Sequence, residues 1–184
     1  MDRAVRLRDD AAMAIEPDTK DWTWVLERTC PQCGVEAAAH SPATVPDVLR
    51  DAVVRWEAVL RRPDVARRPD DSTWSPLEYA AHVRDVCAVF AGRLELILTE
   101  DHPTFPDWDQ DAAAREGRYG EQDPGTVAEE LAANARAVGA AFAAVPQEEW
   151  ERSGLRSNGS PFTVRTLGQY FLHDVLHHLH DVGG

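Results

Sequence analysis

Seven histidines and three cysteines carry most of the chemistry this chain can do, and they are unevenly placed. Four of the histidines fall within the closing stretch HDVLHHLHDVGG. His173 and His177 are four residues apart, which on a helix is a rotation of about 40°, so two imidazoles can face one point. Much earlier, His82 lies on a face shared with Val86 and Val89. Three imidazoles meeting inside a helical protein would leave a coordination position open, the pattern of a catalytic rather than a closed structural metal. His180, three residues after His177, competes with His173 for a place in that set, and Glu78, one turn before His82, offers an oxygen instead of a nitrogen. Asp85, Asp174 and Asp181 are in sequence reach to hold the outer ring nitrogens. His178 has Asp174 and Asp181 at helical spacing and reads as a surface residue. The plainer reading is a hydrogen-bonded core histidine plus a solvated helix end. Leu172, Val175, Leu176, Leu179 and Val182, interleaved with the histidines, argue that the end is packed.

A second cluster of chemistry is CPQCG, Cys30 to Gly34. Two cysteines at this spacing resemble one knuckle of a zinc ribbon, with glycine allowing the tight turn. A tetrahedral site needs two further ligands, and no second C-x-x-C exists. His40 is one candidate third ligand, and a second chain contributing its own knuckle is another. Free thiols or a redox pair are the alternatives, although no βαβ pattern surrounds the motif. Cys87 follows an apolar run and reads as a small buried hydrophobe.

These residues must be positioned by helices. Val45, Val48, Leu49, Ala52, Val53, Trp56, Val59 and Leu60 predict a first helix from Thr44 or Pro46 to about residue 60. Ser75-Pro76-Leu77-Glu78 has the form of a capping box and opens a second helix, running to about Thr99. Residues 100–123 are polar and aromatic without helical period and read as a long cover or loop. An alanine-rich third helix spans 126–145, Ser157-Asn158-Gly159 marks a turn, and the last helix spans about 164–182. No alternating strand pattern is evident. The expected fold is all-α, a four-helix bundle over 44–184 preceded by an irregular extension, 1–43, with a short turn near Trp22 to Glu27. Trp22 and Trp24 are placed to strap that extension across the bundle.

Composition removes several functions. The formal net charge of -13 opposes binding to nucleic-acid phosphates or an anionic membrane. Charges throughout MDRAVRLRDDAAMAIEP leave no run for a signal peptide, and no stretch reaches the roughly 20 apolar residues of a membrane span. With an odd cysteine count, a cytoplasmic protein acting on a small molecule is the expectation.

WSPLEYAAHVRDV (Trp74 to Val86) followed by FLHDVLHHLHDV (Phe171 to Val182) resembles the DinB-like superfamily over roughly residues 44–182. This superfamily of four-helix metalloenzymes includes damage-inducible DinB-like proteins and mycothiol-dependent maleylpyruvate isomerase. The resemblance implies a divalent metal, zinc or nickel, held by His82, His173 and His177. It also implies thiol transfer to a small electrophile, with a low-molecular-weight thiol such as mycothiol as co-substrate. Metal-dependent hydrolysis is the alternative activity, and a non-catalytic metal-binding or stress-response module, a homodimer whose bundle sequesters a ligand, is the alternative class. Arg156 and Asn158 before the last helix, Arg93 on the His82 face and Trp108 in the long loop are the candidate substrate-binding residues.

Overall fold

The computed structural model of the chain describes residues 15 and 20–184. Apart from Ile15, the charged segment considered for a signal peptide lies outside the described residues. Four long helices, α1 (Val45–Leu60), α2 (Pro76–Thr99), α4 (Pro124–Ala143) and α5 (Val164–Asp181), form the expected bundle. A short α3 (Gln110–Glu116), three short strands, β1 (Thr104–Phe105), β2 (Ser153–Arg156) and β3 (Pro161–Thr163), and several single-turn 3-10 helices, among them Thr23–Leu26 in the N-terminal segment, join them.

Capping chemistry sets the helix starts. The Ser75 side chain accepts from the Glu78 N–H (3.2 Å) while the Glu78 carboxylate accepts from the Ser75 N–H (2.8 Å), with Pro76 in the first turn. Thr163 and Thr166 make the equivalent box for α5. Asp123 accepts from the Thr126 N–H (2.8 Å), which starts α4 two residues before the sequence expectation. Along α1 the buried positions are Val45, Leu49, Ala52, Trp56, Val59 and Leu60, one face of a helix laid against α4. α4 packs on α2 as well, and α5 on α2 and α1. Where α2, α4 and α5 meet, Phe171 stacks between Phe90 (5.1 Å) and Phe142 (6.1 Å).

Two features depart from the all-helical expectation. Within the long connection, Asp109 accepts from the Ala112 N–H (2.8 Å) and starts α3. No residue of α3 is buried, so no hydrophobic period announces it. The strands form one small sheet in the order β1-β2-β3, with β1 parallel and β3 antiparallel to β2. Runs of two to four residues are too short to show alternation. Gly154 lets this sheet dock on α2: a Cβ there would stand 2.9 Å from Ile97 Cγ1 and 3.0 Å from Phe105 Cε1.

The N-terminal segment crosses α5. Gln169, buried on that helix, donates to the carbonyls of Ala38 (3.3 Å) and His40 (3.0 Å), and Trp22 packs against His173 and His177. Among the described residues, no helix is long and apolar enough to cross a membrane.

Candidate functional site

On α5, His173 and His177 form one i, i+4 pair and Asp174 and His178 the next, rotated by about 100°. The two pairs therefore meet different neighbours. The first faces the N-terminal segment, and the second faces α2.

Against α2, His82 Nε2 stands 3.4 Å from Asp174 Oδ1, and His178 Nε2 stands 3.8 Å from the same oxygen. The His82 and His178 rings meet edge to face at 4.8 Å. These three residues offer two nitrogens and an oxygen, all within 4.8 Å of one another. His82 is 1% exposed, yet neither of its ring nitrogens has a hydrogen-bond partner, nor does Asp174 Oδ1. Burial pushes the His82 imidazole towards its neutral form, and Asp174 opposes this only in part. Burial pushes the Asp174 carboxyl up, but His82 beside it outweighs that and leaves the carboxyl at about 2. Neutral imidazole and ionised carboxylate are the protonation states that ligate cations.

Against the N-terminal segment, Cys30, Cys33, His173 and His177 place one ligand atom each within 4.8 Å of one another. Cys30 Sγ is 3.8 Å from His177 Nδ1, and Cys33 Sγ is 3.8 Å from His173 Nε2. Burial and the neighbouring His177 push His173 down to about 4.

The three-histidine set expected from the sequence is thus divided between two clusters. His173 and His177 join the cysteines, and His82 joins Asp174 and His178. Asp174, expected as an outer partner, takes a front position. His178, expected at the surface, is turned inward against His82, with Nδ1 3.0 Å from Asp181. His180 is exposed and belongs to neither cluster. Glu78 is committed elsewhere: it caps α2 and accepts from Arg68 Nε at 2.9 Å. His40, weighed as a partner for the cysteines, contributes its backbone carbonyl to Gln169 instead. Cys87 is buried, with its thiol pushed up to about 12 by burial and then by Asp174.

A cavity of about 1130 Å³ opens over the His82 cluster, and Arg93, Trp108, Arg156 and Asn158 all line it. Trp108 stacks on the His82 ring at 5.3 Å. Arg93 and Arg156 are each 7% exposed. Arg93 donates to the Pro106 carbonyl (3.2 Å), and Arg156 donates to Asn158 Oδ1 (3.0 Å) and Ser160 Oγ (3.2 Å). Burial, and next the positive charge of Arg156, lower the Arg93 pKa, so the two guanidinium groups feel one another. Two cations held together beside aromatic walls suit an anionic, partly apolar ligand. Asp85, expected to hold the outer nitrogen of a ligating imidazole, is instead engaged by Arg84 and the Tyr119 hydroxyl.

The sequence model of the DinB superfamily matches residues 63–182. The chain belongs to the DinB superfamily. Among curated proteins, no sequence matches it significantly. Among solved structures, this DinB protein is similar to YfiT from Bacillus subtilis, described as a probable metal-dependent hydrolase with an unusual four-helix bundle topology. The two share 17% identity with a TM-score of 0.68, over 77% of this chain and 85% of YfiT. At that identity the likeness establishes a shared fold. The family match begins after α1, so Cys30 and Cys33 lie outside the matched region of this DinB chain. Asp174 and His178 carried a sequence signal in their i, i+4 spacing, which is the same as that of His173 and His177. Nothing in the sequence said which pair faces α2.

Proposed function

We propose that the chain is a metal-dependent enzyme of hydrolase type, acting on a small anionic molecule in the cavity, with His82, Asp174 and His178 holding a divalent cation. One observation carries this reading: both nitrogens of buried His82 and the facing oxygen of Asp174 have no hydrogen-bond partner. Buried polar atoms left without partners are costly, and a shared cation would satisfy His82 Nε2 and Asp174 Oδ1 together. A two-nitrogen, one-oxygen set suits zinc or nickel and leaves room for a further ligand. Bound there, a divalent cation supplies Lewis acidity to a substrate oxygen or to an incoming nucleophile.

The chain's own groups account for binding and orientation. Arg93 and Arg156 would hold an anionic substituent of the substrate, with Asn158 fixing the Arg156 fork by its 3.0 Å hydrogen bond. Trp108, stacked on His82 at 5.3 Å, fixes the plane of that ring. Asp181, 3.0 Å from His178 Nδ1, orients that imidazole so that Nε2 points at Asp174.

Thiol transfer is the second reading. The cavity of about 1130 Å³ exceeds the roughly 300–1,000 Å³ usual for one small ligand and has room for a thiol beside an electrophile. Metal analysis of the untagged chain tests the centre itself. His82→Ala and Asp174→Asn should each lower the bound divalent metal by about one equivalent and abolish turnover. Unchanged metal content in the H82A/H178A double variant would refute the assignment. A panel of small anionic esters and amides, run with and without mycothiol, bacillithiol or glutathione, then separates the two reactions.

A further inference from the structure

His173 and His177 line the cavity beside the His82 cluster, and there they meet Cys30 and Cys33, so that four metal-ligating side chains far apart in sequence converge. We propose that they form a second, closed zinc site of Cys2His2 type, which fastens the N-terminal segment to α5.

The spacing fits the ion. With zinc–sulfur bonds of about 2.3 Å and zinc–nitrogen bonds of about 2.0 Å, tetrahedral geometry sets the sulfur–nitrogen separation at roughly 3.5 Å. Two of the four sulfur–nitrogen pairs stand at 3.8 Å, Cys30 with His177 and Cys33 with His173, and the others lie within 4.8 Å. In a tetrahedron every ligand atom neighbours the other three, and all four here lie within 4.8 Å of one another.

The backbone is shaped for this. The Gly34 N–H donates to the Cys30 carbonyl (2.8 Å) and the Cys30 N–H to the Val35 carbonyl (2.9 Å), closing a tight knuckle. Gly34 sits at φ +75°, the left-handed region, which a side chain disfavours. Burial pushes the Cys33 thiol up, and the Val35 N–H directed at its sulfur offsets this only in part. On the helical side, His177 presents Nδ1 to Cys30 while its Nε2 lies 3.7 Å from Asp181, a carboxylate behind a ligating imidazole. Two thiolates and two neutral imidazoles balance the charge of a dipositive ion, so the buried cluster would carry no net charge. Binding releases one proton from each thiol to solvent, with no change in oxidation state.

The consequence reaches the cavity. Trp22, in T-shaped contact with the His177 ring at 5.1 Å, and Gln32, inside the knuckle, both line it. A cation at the clasp would hold one cavity wall in place.

This site stands independently of the cavity reading, and its test keeps the two apart. The metal-free full-length chain is titrated with cobalt(II), which reports thiolate ligation by a sulfur-to-metal charge-transfer absorption. Two equivalents should bind, one of them giving that absorption. C30S/C33S should bind one equivalent without the absorption, and H173A/H177A should also lose it. H82A/D174N should bind one equivalent and keep the absorption. The proposal is overturned if the wild-type chain shows no thiolate absorption, if H173A/H177A leaves it unchanged, or if H82A/D174N abolishes it. Should C30S/C33S fail to fold, the wild-type and H82A/D174N titrations decide the matter. Loss of one equivalent from C30S/C33S with none lost from H82A/D174N would leave the clasp standing and remove the cavity centre.

Discussion

Arg93 and Arg156 are the residues proposed to meet an anionic substrate. Each guanidinium is buried beside aromatic rings, with Arg93 5.1 Å from the Phe90 centroid and Arg156 5.5 Å from Phe162. A charge-assisted hydrogen bond contributes roughly 1.5–3 kcal/mol. Arg156→Gln should therefore raise KM for an anionic substrate by about 10- to 100-fold, with metal content unchanged, as steady-state kinetics and metal analysis would show. Glu78 plays a different part. Burial pushes its carboxyl up, but the Arg68 hydrogen bonds and the Ser75 N–H outweigh that and hold it below its ordinary value. A carboxyl depressed in the folded state binds protons more readily when unfolded. Its stabilisation is thus present above its ordinary value near 4.5 and is lost as pH falls through the lower folded value. Glu78→Gln should cost about 1–3 kcal/mol at pH 7 and flatten the loss of stability below pH 4.5, readable from denaturant unfolding across pH. The capping role of Glu78 was legible from Ser75-Pro76-Leu77-Glu78. The ion pair with Arg68 was not, because it depends on how residues 61–75 fold back.

At the scale of elements, helical periodicity was a sound guide where an apolar face is long. α1, α2, α4 and α5 each bury a stripe repeated at three and four residues, so their existence and approximate ends follow from pattern and caps. The small sheet had no such signal, since its strands are held by pairing between residues about fifty positions apart, Thr104 with Leu155 and Phe105 with Arg156. This sheet matters to the site because Arg156 ends β2. Gly154 is its weak point: any side chain would press on Ile97, Phe105 and the Pro103 carbonyl, 3.1 Å away. Gly154→Val should destabilise by about 1–3 kcal/mol. At roughly 2–4 °C per kcal/mol for a chain of this length, calorimetry should detect the fall in Tm. KM should rise with it, because displacement of β2 moves Arg156.

For the whole molecule, a net charge of -13 coexists with two buried arginines lining one cavity. Long-range repulsion among surface carboxylates is screened by salt, whereas the buried pair is largely shielded from it. Raising ionic strength from about 10 mM to about 150 mM should raise Tm modestly, as screening relieves the acidic surface. The same surface should leave the chain unretained on immobilised DNA at 150 mM salt. An increase in Tm at the lowest salt, or retention on DNA, would contradict this account. By itself the sequence determined the four long helices, the acidic character, and a short roster of ligating residues: one histidine on α2, a dense histidine run on α5, and one cysteine knuckle. Those features are local, written in spacing, caps and composition, and they survive without knowledge of neighbours. Only the tertiary structure decided how the ligands are shared out. α5 presents two i, i+4 pairs one residue apart, and a shift of one residue turns a side chain by about 100°. Which pair meets His82 and which meets Cys30 and Cys33 is therefore set by the packing rotation of α5 between α2 and the N-terminal segment, a long-range property that no local pattern encodes.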